Sequence, residues 1–125
     1  MVELAPGWHS DVDRGPDWLF IRLRHVDAHG DQEPPLAEGL WATIAQHFTY
    51  RVVLELDDVG VLYSQLVGQL AALHKRVHTH GGILRICGLS DENQNVLRAC
   101  RLEGRFPQYR NREEAVRGYR PPQPR

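Results

Sequence analysis

RVVLELDDVGVLYSQLVGQLAALHKRVHTHGGILRICGL, residues 51–89, changes its hydrophobic period twice. Residues 51–59 form an apolar run interrupted by Glu55 and closed by Asp57 and Asp58, the pattern of a strand covered on both faces or lying mid-sheet. From Ser64 the apolar residues recur at helical spacing, as Leu66, Leu70, Leu73 and Val77, with Val67 and Ala71 beside them. That spacing predicts a helix over 64–79. His80, Gly81 and Gly82 stop it, because glycine enters the left-handed conformation that helix ends often need. GILRICGL, 82–89, returns to a strand pattern. Strand, long helix and strand make a crossover unit, whose two strands lie parallel.

Outward from this unit the alternation continues. Residues 7–15 read as an edge strand, Gly15-Pro16 as a turn, and 17–26 as a strand with Leu19, Ile21 and Leu23 on one side. Residues 27–35 read as a loop. A helix over 34–49 carries Leu36, Leu40, Trp41, Ile44 and Phe48 on one face, with Pro35 in its first turn. On the other side, Ser90 caps a third helix with Asp91 and Glu92 in its first turn. That helix is expected to bury Val96, Leu97 and Cys100 and to end near Gly104. RFPQYRN, 105–111, reads as a last short strand and REEAVRGY, 112–119, as a closing helix. The expectation is one α/β domain, with a mostly parallel sheet of four to five strands and four helices packed against it. Residues 1–6 are expected to form an N-terminal arm, 7–118 the domain, and 119–125 a disordered Pro/Arg tail.

The bulk numbers agree with one packed domain. The chain has 125 residues, 42% apolar and 25% charged, enough for a core without a metal or disulfide frame. A net charge of −1 with mixed signs gives no electrostatic footprint for nucleic acid, and only the stretch 110–125 is locally basic. Cys87 and Cys100 lack metal-ligand spacing and read as free thiols of a reducing compartment. Neither a secretory leader nor a bilayer-length apolar run is legible, so no membrane partner is expected and the expected location is cytoplasmic.

Four pieces, in order, carry a family resemblance: RVVLELDDVGVLYS, LVGQLAALHKRVHTHGG, ILRICGLSDENQNVLRACRL and RFPQYRNREEAV. Within them stand Gly81-Gly82, Gly88-Leu89, Leu102, Phe106 and Glu113-Glu114-Ala115. In this order they resemble the STAS domain of bacterial anti-sigma factor antagonists, over residues 50–117. The resemblance implies a non-catalytic partner-switching module that binds an anti-sigma factor, or a serine kinase of the histidine-kinase-like ATPase fold, with no cofactor. It leaves homodimerisation open. In that family a serine at the position of Ser64 is phosphorylated. Ser64 and Gly68 match the family loop, Val67 is a mild change, and Tyr63, Gln65 and Leu66 depart from it. The implied partner surface is Asp58, Tyr63, Ser64, Gln65 and Gly68, with Ser64 as phosphoacceptor.

From the residues alone, Ser64 has two compatible readings. As an N-cap its hydroxyl would accept an amide hydrogen bond, contributing ~1 kcal/mol. As a phosphoacceptor it would carry a charge of about −1.5 to −2, which a helix N-terminus tolerates and a docked partner does not. A module of the same family that is never phosphorylated, serving as a scaffold or assembly subunit, is the alternative. Another class is a small metal-binding or enzymatic domain using His74 and His78, four residues apart on one helix. HKRVH lacks the glutamate of a zinc protease helix, and no GxSxG, P-loop or dinucleotide fingerprint occurs, so an enzyme is not expected. Asp57 and Asp58 read as solvated turn residues, Trp8, Trp18 and Trp41 as core or edge cover.

Overall fold

The computed structural model describes residues 2–5, 8–25, 36–62 and 64–118. Five strands form one sheet in sequential order: β1 (Val2–Ala5), β2 (Trp8–Arg14), β3 (Leu19–His25), β4 (Arg51–Asp58) and β5 (Ile83–Cys87). β1 with β2 and β2 with β3 pair antiparallel, while β3 with β4 and β4 with β5 pair parallel. Only β2 therefore runs against the other four, and the sheet is mostly parallel. The helices are α1 (Leu36–His47), α2 (Ser64–Thr79), α3 (Asp91–Ala99) and α4 (Arg112–Arg117).

The alternation of strand side chains sorts the molecule into two layers. Leu19, Ile21 and Leu23 of β3, Val52, Leu54 and Leu56 of β4, and Leu84 and Ile86 of β5 face α1 and α2. There they meet Leu36, Leu40 and Ile44 and the α2 stripe of Leu66, Leu70, Leu73 and Val77, all buried in one cluster. Leu97 of α3 completes this core. On the opposite face a smaller cluster gathers Val53, Cys87, Tyr109 and Ala115, with Trp18 and Phe20 against it. α4 covers that face only in part. Central β4 is thus buried from Val52 through Leu56, as its continuous apolar run implied.

Several expectations are corrected. Val2–Ala5, within the expected arm, is a strand of the sheet. Four residues carry too little periodicity to announce it. Its place depends on α1, where a Cβ added to Gly39 would stand 3.0 Å from the Leu4 carbonyl oxygen. Residues 105–111 do not make a strand. Pro107 has no N–H for a ladder, and pairing reduces to one parallel bridge between Cys87 and Tyr109. Phe48 does not join the α1 stripe. The helix has ended, Phe48 adopts φ 50°, and its ring is 83% exposed. α3 ends at Ala99 rather than near Gly104, and Cys100 at its C-cap is exposed. The expected helix start at Pro34 lies outside the described residues.

Candidate partner-binding site

The connection from β4 to α2 is short and held from outside itself. Val59 and Leu62 are buried anchors, and Val59 N–H returns to the Leu56 carbonyl at 3.1 Å. Between the anchors, Gly60 and Val61 face solvent, Val61 at 76% exposure. The fixing group is Asn93 of α3, only 3% exposed. Its Nδ2 donates to the Gly60 carbonyl at 2.7 Å, and its Oδ1 accepts from Leu62 N–H at 2.8 Å. One side-chain amide therefore satisfies the backbone on both sides of Val61, as a neighbouring strand would. Ser90 secures Asn93 in turn, its hydroxyl accepting Asn93 N–H at 3.2 Å as the N-cap of α3.

Ser64 is the first residue of α2. Tyr63 lies outside the described residues. Ser64, Gln65 and Gly68 are exposed at the opening of α2, Ser64 and Gly68 one turn apart on the same side. Leu66 and Val67 point the other way and are buried. The family departure at Leu66 therefore serves the core and does not cover Ser64. No acidic residue occupies the first turn of α2, so nothing there opposes added negative charge.

Asp58 is placed differently. The β3–β4 register shifts between Arg22 and Arg24, which turns the end of β4 toward the charged face of the sheet. Arg22 Nε approaches Asp58 Oδ2 at 2.9 Å, and Arg24 Nε stands 3.8 Å from the same oxygen. The structure therefore groups Ser64, Gln65 and Gly68, while Asp58 belongs to an ionic row. Beside the loop, at the C-terminal ends of β4 and β5, a cleft of about 360 Å³ is lined by Asp57, Gly60, Gly88, Ser90, Gln94 and Arg110, among others. Gly88, at φ 79°, leaves its Cβ space to the Asp57 carboxylate.

Glu55, Asp57 and Cys87 bring donor atoms within 4.8 Å of one another, the one such trio among the described residues. Glu55 already binds the Arg112 guanidinium, a hydrogen bond that raises the Arg112 pKa. Burial first, then the charges of Glu55 and Asp57, push the Cys87 thiol up to about 12. In this arrangement a protonated thiol lies beside an ion pair. His74 and His78 stack with ring centroids 6.2 Å apart, and among the described residues no third His, Cys, Asp or Glu joins them. His80 turns to Tyr50 and Trp41 instead, at 4.2 and 5.4 Å between ring centroids.

Sequence reasoning missed Asn93 and Val61. The signal for Asn93 was available: it lies four residues before the buried Leu97 on the inner side of α3, and a polar residue there demands backbone partners. Val61 gave no signal, because exposure in a loop is set by contacts from another element.

A sequential sheet with helices crossing between β3, β4 and β5, and an exposed helix start after β4, defines a mostly parallel α/β domain of one class. The STAS domain family model matches residues 23–115, and the chain belongs to that family. The crystal structure of an anti-sigma factor antagonist from Mycobacterium paratuberculosis superposes with a TM-score of 0.72 at 17% identity, covering 91% of this chain and 95% of that one. A structure from the stressosome gives 0.65 at 12% identity over 86% and 94%. The phosphorylated form of the Bacillus cell fate determinant SpoIIAA gives 0.58 at 14% identity over 88% and 99%. At these identities the likeness is one of fold. A stretch of 43 residues is 46% identical to peptide deformylase of Xylella fastidiosa strain M12, covering 34% of this chain and 24% of the deformylase. The chain thus spans about a quarter of the curated relatives it matches, and their activity does not transfer on so short a stretch. No helix among the described residues is long and apolar enough to cross a membrane.

Proposed function

We propose that this domain is a non-catalytic regulatory module of the anti-sigma factor antagonist type, working by partner switching. The observation that carries the reading is the exposed Ser64 at the opening of α2, next to a loop whose backbone Asn93 holds in place. Unmodified, the surface around Ser64, Gln65, Gly68 and the preceding loop docks an anti-sigma factor or serine kinase of the histidine-kinase-like ATPase fold. A phosphate on Ser64 would keep the fold, because helix-start amides stabilise negative charge there. Docking would fail, because the same charge would have to be desolvated against a surface matched to a hydroxyl.

The test is to incubate the protein with ATP and its partner ATPase and to weigh it intact. One phosphate, mapped to Ser64 and absent from Ser64→Ala, is the expected result. Ser64→Glu should weaken partner binding by about tenfold or more, with unfolding unchanged within about 0.5 kcal/mol. Binding of the kinase without phosphate transfer would reject the switch and leave a scaffold. The stressosome likeness in fold favours that second reading, in which Ser64 is only a contact.

A further inference from the structure

The histidine pair on α2 is not taken up by partner switching. It lies along the free edge of β5, away from the opening of α2, beside a cleft of about 260 Å³ that His74, His78, Leu84, Arg105 and Pro107 help to line. No Asp or Glu lines this cleft. The side chains of His74, His78 and Arg105 have no hydrogen-bond or ion-pair partner among the described residues, whereas Arg22, Arg24, Arg76, Arg110 and Arg112 are all paired. Arg85 turns its guanidinium to the other face, onto the Ala115 carbonyl at 2.8 Å and over Trp18.

The edge of β5 adds a backbone donor. Ile83 N–H binds the Tyr50 carbonyl across the β4 side, and Gly88 N–H binds the Tyr109 carbonyl on the opposite side. Peptide groups alternate along a parallel strand, so Leu84 N–H turns away from β4 toward the cleft. β5 is the last strand of the sheet, and Leu84 lines the cleft on its outer edge. An edge-strand N–H turned away from its neighbouring strand is a donor open to a ligand or water.

We propose that this cleft is a binding site for a phosphate-type dianion, free or as the phosphoryl group of a small molecule. His74, His78, Arg105 and Leu84 line it together, and their imidazole, guanidinium and amide groups are the donors it offers. A carboxylate offers two oxygens and would be met by the Arg105 fork alone, whereas a tetrahedral anion offers acceptors to the separate donors as well. A metal cation is disfavoured by the same geometry: the histidine pair lacks a third ligand and faces an unpaired guanidinium. His74 is already held below the usual histidine range by burial, then by His78 and Arg105. A dianion would reverse that balance and favour the protonated ring. The proposal stands apart from the partner-switching reading and does not need it.

The experiment is a titration of labelled protein with inorganic phosphate, in chloride at constant ionic strength, followed by histidine side-chain NMR. Expected are saturable shifts of His74 and His78 and a rise in the titration midpoint of His74 when phosphate is bound. Arg105→Glu should weaken binding by about tenfold or more, and Arg14→Glu, the same charge change on a distant strand end, by less than about twofold. Glycerol phosphate run in parallel separates the sources. Binding equal to or tighter than that of phosphate assigns the cleft to a phosphoryl group, and phosphate alone assigns it to the free anion. Linear shifts, or the same shifts in Arg105→Glu as in the wild type, would overturn the site. Matched thermal unfolding of both variants separates lost binding from lost fold.

Discussion

The two faces of the sheet are built on different physics from alternate residues of the same strands. Toward α1 and α2, β3, β4 and β5 present Leu, Ile and Val packed against leucine-rich helices. Toward α4, the intervening positions are Phe20, Arg22 and Arg24, then Val53, Glu55 and Asp57, then Arg85 and Cys87. There Arg112 lies over the Phe20 ring at 4.2 Å and reaches Asp13 of β2 at 2.9 Å and Glu55 of β4. One guanidinium thus ties α4 to three strands. The apolar face gains from area removed from water, which is tolerant of detail. The charged face depends on partners being present, since a buried carboxylate without one costs more than its pair contributes.

That contrast fixes an order of mutational effects. Leu54→Ala, at the centre of the apolar face and fully buried, should cost about 2–5 kcal/mol through lost transfer and a residual cavity. Denaturant unfolding reads it. Arg112→Ala should cost about 1–3 kcal/mol, less than for a sealed pair because Arg112 remains partly in solvent. Adding Glu55→Gln to Arg112→Ala should recover part of that loss, because the stranded charge is gone. An additive double mutant would mean that Glu55 is solvated, and the two faces would differ less than their composition suggests.

Asn93→Ala sharpens the comparison, since it removes a polar device from the helical, apolar side. It strands the Gly60 carbonyl and Leu62 N–H, and should cost about 1–2 kcal/mol. Amide exchange at Leu62 should rise more than exchange in β4. A uniform rise would mean that Asn93 stabilises the whole fold rather than the loop.

Periodicity made α2, β4 and β5 legible, because burial on one face or on both writes itself into spacing. The caps at Ser90 and Asn111 are equally local: each side-chain oxygen accepts an amide three residues ahead. What stayed hidden depends on distant partners. β1 is defined by β2 and by the approach of Gly39, the exposure of Phe48 by where α1 stops, and the loop before Ser64 by an asparagine thirty-odd positions away. Ser64 itself was visible as a hydroxyl at a helix start. Element boundaries depend on backbone geometry that residue type only biases.

The smallest effect separates the two cysteines. Cys87 sits on the charged face yet is sealed beneath it, with Glu55 and Asp57 opposing its ionisation and its pKa pushed up to about 12. Cys100 is exposed at the end of α3. At pH 8 a disulfide reagent should titrate one thiol in the folded protein and a second only on unfolding. At neutral pH the Cys87 thiol stays protonated, folded or unfolded, so its raised pKa leaves stability unchanged with pH. In alkali it does not. A thiol whose folded pKa lies above its unfolded value favours the native state below the ordinary thiol pKa, and that advantage is lost as pH rises toward about 12. Cys87→Ala should therefore flatten the alkaline fall in stability relative to the wild type, with other titrating groups common to both. If both thiols react at one rate in the native protein, Cys87 is open to solvent, and the charged face does not seal what lies beneath it.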